Sequence, residues 1–173
     1  MTETTFLTVL TALAEANVRL VVVGGVAVVL HGRVRATQDI DLVVDLEAVN
    51  VAKLISVLST HGFATVADVD ATELADPRTR DVWLEEYGMD VLRFARNEPA
   101  GVQVDVFVRP PLPFERLWAN AVSTRLGEGR LHYAGIADLI ESKRLADRPV
   151  DRVDIAELER LIEVTRDDKN ADR

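Results

Sequence analysis

Leu20-Val21-Val22-Val23-Gly24-Gly25, followed further on by Asp39-Ile40-Asp41-Leu42, carries more structural information than any other part of the chain. A short apolar run that closes on two glycines reads as a buried strand ending in a sharp turn. In an extended strand residues i and i+2 share a face, so Asp39 and Asp41 project side by side while Ile40 and Leu42 point into the core. Carboxylates that close repel each other unless something neutralises them. A divalent, oxygen-loving cation does so economically, and Mg²⁺ held by a few carboxylates usually brings substrate phosphates with it. The segment therefore reads as a metal site beside a phosphate-binding turn.

A third acid extends the pattern. Val102-Gln103-Val104-Asp105-Val106-Phe107-Val108 alternates strictly, with valines on one face and Gln103, Asp105 and Phe107 on the other. Burial of the valines leaves Asp105 on the opposite surface. If this strand lies in register beside the Asp39/Asp41 strand, three carboxylates converge. Such a cluster suits two metal ions about 3.5–4 Å apart, an arrangement that steadies both attacking and leaving oxygens in phosphoryl or nucleotidyl transfer.

The stretch from Gly24-Gly25 through His31-Gly32-Arg33-Val34-Arg35-Ala36-Thr37-Gln38 to Asp39-Ile40-Asp41-Leu42 resembles the signature of polymerase-beta-type nucleotidyltransferases. The Arg-x-Thr-x-Asp-Ile-Asp variant is similar to the small abortive-infection (AbiEii-like) toxin nucleotidyltransferases. Leu139-Ile140-Glu141-Ser142-Lys143 and Arg148-Pro149-Val150-Asp151-Arg152-Val153-Asp154-Ile155 resemble the helical region near the end of those domains. The matches span residues 19 to about 160. The resemblance implies an α/β (α+β) fold: a small mixed β-sheet flanked by helices, with a helical C-terminal part.

The resemblance also implies roles. Gly24 and Gly25 would let backbone N–H groups approach a triphosphate, helped by the N-terminus of the following helix. Asp39 and Asp41 would hold Mg²⁺, and Asp105 would complete the site and take the acceptor's proton. Lys143 would neutralise the triphosphate of the NTP, and Arg35 and Thr37 would line its pocket. Gly25 stands where many relatives carry serine, which leaves that phosphate contact to backbone amides and Arg35. The implied reaction transfers an NMP from an NTP to an acceptor hydroxyl and releases pyrophosphate. The acceptor the resemblance implies is RNA or transfer RNA in a toxin–antitoxin setting with a separately encoded antitoxin. Alternatively it is a small drug of the aminoglycoside or lincosamide kind. A rival reading is a non-catalytic protein of the same fold that binds a nucleotide or a partner.

Length and composition agree. The chain has 173 residues, 48% hydrophobic and 28% charged, as expected of one globular domain spanning 1–173, with a core at about 19–133. It has no cysteine, which excludes thiol nucleophiles and zinc–thiolate sites and suits a reducing, cytoplasmic setting. No basic leader precedes an apolar run, and no apolar run approaches the ~18 residues of a membrane span. The net charge of −9 argues against broad nucleic-acid binding. Yet Arg19 to Gln38 carries Arg19, Arg33 and Arg35 and no acid. These arginines make either a locally basic phosphate pocket or a solvated surface.

The remaining pattern predicts helices at 5–16, 25–31, 47–61, 113–119, 135–146 and 151–165, with Pro149 between the last two. Strands are expected at 19–23, 39–45 and 63–66. Met89–Arg96 and Val102–Val108 should form one hairpin across Asn97–Gly101, and Val122–Leu126 and Arg130–Tyr133 a second around Gly127-Glu128-Gly129. Residues 67–86 read as a loop with one helical turn beside the substrate, and 167–173 as a frayed tail. His31 is expected to pack or cap, and His61 and His132 to lie at the surface. Trp83 and Tyr87 belong either to the core or rim or to a base-stacking platform, and Trp118 to the core. Asp151 can cap the last helix, and Asp154 either supports Lys143 or Arg148 or lies on the helix surface.

Overall fold

The computed structural model describes residues 6–98 and 101–171, with side chains to residue 164. Seven strands form one mixed sheet: β1 (Leu20–Val23), β2 (Asp39–Val44), β3 (Ala64–Thr65), β4 (Val91–Ala95), β5 (Gln103–Phe107), β6 (Val122–Leu126) and β7 (Gly129–Tyr133), in the order β3-β4-β5-β2-β1-β7-β6. The helices are α1 (Phe6–Glu15), α2 (Gly24–Leu30), α3 (Ala48–Thr60), α4 (Pro77–Glu85), α5 (Phe114–Ala119), α6 (Ile136–Ala146) and α7 (Pro149–Ala171). This is the expected α+β architecture of a mixed sheet with flanking helices.

The central strands owe their place to composition. β1 is apolar throughout and buried on both faces, so it can only be interior. It pairs antiparallel with β2 and parallel with β7, while β2 runs parallel to β5. The β2–β5 register sets Asp41 opposite Asp105 and Asp39 opposite Gln103. Paired positions share a face, so all three acids emerge on one side of the sheet. On the other side Ile40, Leu42, Val104 and Val106 are completely buried. α2 lies against β1 and β2, and α6 packs on both α2 and α7.

Local signals account for most boundaries. Asn17 ends the α1 segment at φ 52°, the left-handed conformation that asparagine tolerates. Gly127 takes φ 57° in the β6–β7 turn, which is tighter than expected because Gly129 already pairs with Leu126. A side chain at Gly129 would press into the Ala14 carbonyl at 2.2 Å, so α1 can cross this strand only at a glycine. The hairpin turn expected at Asn97–Gly101 includes Pro99 and Ala100, which lie outside the described residues.

Three expectations need correction. Residues 67–86 are not mainly loop: they form a 3-10 turn at Ala71–Ala75 and then α4. Asp70 caps the turn through the Thr72 N–H, and Asp76 caps α4 through the Arg78 and Thr79 N–H groups, with Pro77 at the first helical position. The 3-10 turn packs on α3, and buried Leu74 and Trp83 join the core. Pro149 likewise begins α7 instead of separating two helices. Finally, α7 continues to Ala171, so the backbone expected to fray from 167 is helical that far; residues 172–173 lie outside the described residues.

Candidate active site

A cleft of about 630 Å³ opens over the acid-bearing face of the sheet. Asp39, Asp41 and Asp105 form its floor, Arg93 and Arg109 stand on the β4–β5 side, and Lys143 and Arg148 come from the C-terminal helices. Each of the three acids offers an oxygen, and these oxygens all lie within 4.8 Å of one another. An all-carboxylate oxygen set this tight suits a hard divalent cation and little else. The convergence anticipated from sequence is therefore present in space.

The electrostatics fit the same conclusion. Burial, reinforced by the charges of Asp39 and Asp105, pushes the Asp41 carboxyl up to about 6. Arg148 and a hydrogen bond from the Gly25 N–H oppose that rise without cancelling it. Negative charge is thus crowded here beyond what the surrounding protein compensates, which is the condition a cation relieves.

Gly24 explains how the turn approaches the acids so closely. It sits at φ 61°, and a Cβ built on it would fall 1.8 Å from Asp41 Oδ2. A Cβ on Gly25 would meet Thr37 Oγ1 at 2.6 Å and Arg35 NH1 at 2.9 Å. Neither Arg35 nor Thr37 is on the cleft wall. Thr37 instead donates its hydroxyl to Asp39 Oδ1 at 3.1 Å, and Arg35 pairs with Asp154 at 2.9 Å. Both steady the turn and the acid-bearing strand from behind.

Lys143 reaches the cleft but is only 4% exposed, and its Nζ is held by Asp154 at 2.6 Å and Asp151 at 3.2 Å. Asp151 is fully buried; it also accepts from the Arg148 backbone N–H at 3.2 Å and from Arg148 Nε at 2.8 Å. It therefore serves as the expected cap of α7 and as a partner of Lys143 at once. Asp154 joins Lys143 to Arg35, so one ionic network ties α6, α7 and the loop behind Gly25 together. Lys143→Met is expected to cost about 3 kcal/mol in urea denaturation, because it takes one cationic partner from each of two buried carboxylates, leaving Asp151 to Arg148 and Asp154 to Arg35. A loss of turnover with unchanged stability would contradict that structural share of its role.

The arginine-rich segment does not make a basic pocket. Arg19 pairs with Asp45 at the far end of β1 and lies over the rings of Phe114 and Trp118. Arg33 pairs with Glu157 at 2.8 Å. Sequence order grouped these cations, but strand direction separated them. Among the described residues, the cations that face the cleft beside Lys143 are Arg93, Arg109 and Arg148, none of which had been assigned a role. A signal for Arg93 existed, since the expected hairpin pairs Arg96 with Val102 and hence Arg93 with Asp105, the register observed. Arg109, between a strand and a proline pair, carried no such signal.

The remaining candidates fall outside the cleft. His31 Nε2 lies 2.8 Å from the Ala134 carbonyl and its ring packs edge-on to Tyr133. His132 packs on Trp118 at 4.2 Å between centroids, and His61 Nδ1 bonds the Val57 carbonyl at 2.8 Å. Trp83 is a core residue, Tyr87 is exposed and Trp118 is half-buried. No part of residues 67–88 borders the cleft, contrary to the expectation that this segment faces the substrate.

A family model described as aminoglycoside-2''-adenylyltransferase matches residues 5–87. That stretch contains the glycine turn, Asp39 and Asp41, and stops short of Asp105, Lys143 and the arginines of the cleft. No match was found among curated proteins. Fold, acid cluster and match agree on the class: the chain is an enzyme of the nucleotidyltransferase type. No helix among the described residues is long and apolar enough to cross a membrane.

Proposed function

We propose that the protein transfers a nucleoside monophosphate from an NTP to an acceptor hydroxyl with release of pyrophosphate, in a single domain. The observation that carries this reading is the meeting of Asp39, Asp41 and Asp105 beside the Gly24-Gly25 turn. These three acids would hold Mg²⁺, two ions in the fullest form, which when bound supplies charge stabilisation at the phosphates. Gly24 and Gly25 present backbone to the triphosphate, and Lys143 and Arg148 add positive charge on that side. Asp105 takes the proton as the acceptor oxygen bonds to the α-phosphorus and the bond to the β-phosphate oxygen breaks. Arg35 and Thr37 act by positioning the turn and Asp39. Catalysis is then mostly placement and electrostatics.

Two acceptor classes have support. The match to an aminoglycoside-2''-adenylyltransferase model favours a small amino sugar. Arg109 on the β4–β5 side favours an anionic acceptor such as RNA, which accords with a toxin of the AbiEii-like kind working in the cytoplasm with a separate antitoxin. Labelled NTPs offered with Mg²⁺ to aminoglycosides, total RNA and a protein pool decide between them. Label in the first pool supports the drug-modifying reading and in the second the RNA reading. Absence of Mg²⁺-dependent label in every pool, together with NTP-dependent thermal stabilisation that Asp41→Asn removes, would leave a nucleotide-binding protein without transfer activity.

A further inference from the structure

Among the described residues, Arg93 is the one side chain that holds Asp105 directly. Its Nε donates to Oδ1 at 2.7 Å and its NH2 to Oδ2 at 2.6 Å, a two-pronged pair in which both carboxylate oxygens are engaged. The other two acids have no such partner among the described residues: Asp39 receives the Thr37 hydroxyl and Asp41 the Gly25 N–H. Within a cluster of three carboxylates, Arg93 therefore supplies the directly bonded positive charge. Its own position is unlike that of Asp105. The Arg93 side chain is 45% exposed and borders the open cleft, whereas that of Asp105 is 6% exposed. The acid is fixed, and the cation has somewhere to go.

We propose that Arg93 exchanges partners during the working cycle: it neutralises Asp105 while the acid cluster is empty and turns to a phosphate of the NTP once a divalent cation occupies the cluster. This rests on the nucleotidyltransferase reading above. A cation shared by Asp39, Asp41 and Asp105 sets like charge beside the guanidinium and removes the reason for the pair. The released fork remains in the cleft, and its planar donors match phosphate oxygens as well as they match a carboxylate. Arg93 is then a competitor of the metal and an ally of the nucleotide. A permanent structural ion pair would be neither.

Those opposite signs are the test. Mn²⁺ binding to the full-length protein without nucleotide is measured by electron paramagnetic resonance, and ATP binding at saturating Mg²⁺ by calorimetry. Arg93→Gln is expected to tighten Mn²⁺ roughly threefold to tenfold, the weight of a partly exposed ion pair, and to weaken ATP about tenfold. Arg93→Lys keeps the charge at a half-open strand position, and should give values between wild type and Arg93→Gln even if the latter folds poorly. Unchanged or weaker Mn²⁺ binding in both variants overturns the exchange. A wild-type protein whose Mn²⁺ binding is indifferent to Asp41→Asn overturns the metal site itself, so the two failures are distinct.

Discussion

Asp41→Asn is expected to raise the melting temperature of the metal-free protein at pH 7.5 while reducing nucleotidyl transfer about 10³-fold or more. The opposed effects have one cause. Displacement of the Asp41 carboxyl from 3.8 to about 6 means that ionising it inside the fold costs on the order of 3 kcal/mol more than ionising it in the unfolded chain. Asparagine keeps the shape and an acceptor for the Gly25 N–H but carries no charge. For a chain of this size the gain corresponds to roughly 5–10 °C. The sign of the pH dependence follows. Because the folded-state value lies above the unfolded one, this group's contribution to stability is fully present below pH 3.8 and is lost as pH rises through about 6. Metal-free wild type should lose stability across that window, and Asp41→Asn should flatten the loss. Scanning calorimetry at pH 5 and 7.5 with chelator checks both; a variant no more stable than wild type at pH 7.5 would contradict the crowding of charge at this site.

Gly24→Ala should be strongly damaging to both stability and the acid cluster, and Gly88→Ala is its control. Both glycines hold nearly the same left-handed conformation, φ 61° and φ 60°. Either substitution pays the backbone strain of about 1–2 kcal/mol. At Gly88 nothing lies within 4 Å of the new Cβ, so strain is the whole effect. At Gly24 the Cβ lands 1.8 Å from Asp41 Oδ2 and 2.6 Å from its Cγ, a collision that a half-buried carboxylate in a paired strand cannot avoid without leaving its place. The expected outcome is a stability loss about twice that of Gly88→Ala, together with a fall in Mg²⁺ affinity and transfer activity of about 100-fold that Gly88→Ala does not share. Urea denaturation with Mg²⁺ titration separates the two components. Equal effects of both variants on metal binding would show that the closeness of Gly24 to Asp41 is immaterial.

Local pattern made most of the elements legible. The apolar run of β1, the alternation in β5 and the breakers around the hairpins stated their conformations because burial periodicity and turn chemistry act over a few residues. The segment from Ala67 to Glu86 misled because its helical elements are short and mostly polar, anchored by caps at Asp70 and Asp76 and by two buried side chains, Leu74 and Trp83. A stripe that narrow leaves little periodicity to read.

The three acids and the glycine turn were legible from residue type and spacing, since strand geometry forces Asp39 and Asp41 onto one face and the valines force Asp105 onto its own, whereas Lys143 was singled out only by the resemblance of its segment to a known family. Which charges surround them was decided only in three dimensions. Arg19 and Arg33 were carried away from the acids by strand and loop direction, while Arg93, Arg109 and Arg148 were brought in from later in the chain. Lys143 proved to be bound by Asp151 and Asp154, and Asp105 by Arg93. Secondary structure depends on neighbours along the chain, whereas the partner of a charge depends on strand order and helix packing, which place residues far apart in sequence within hydrogen-bond reach.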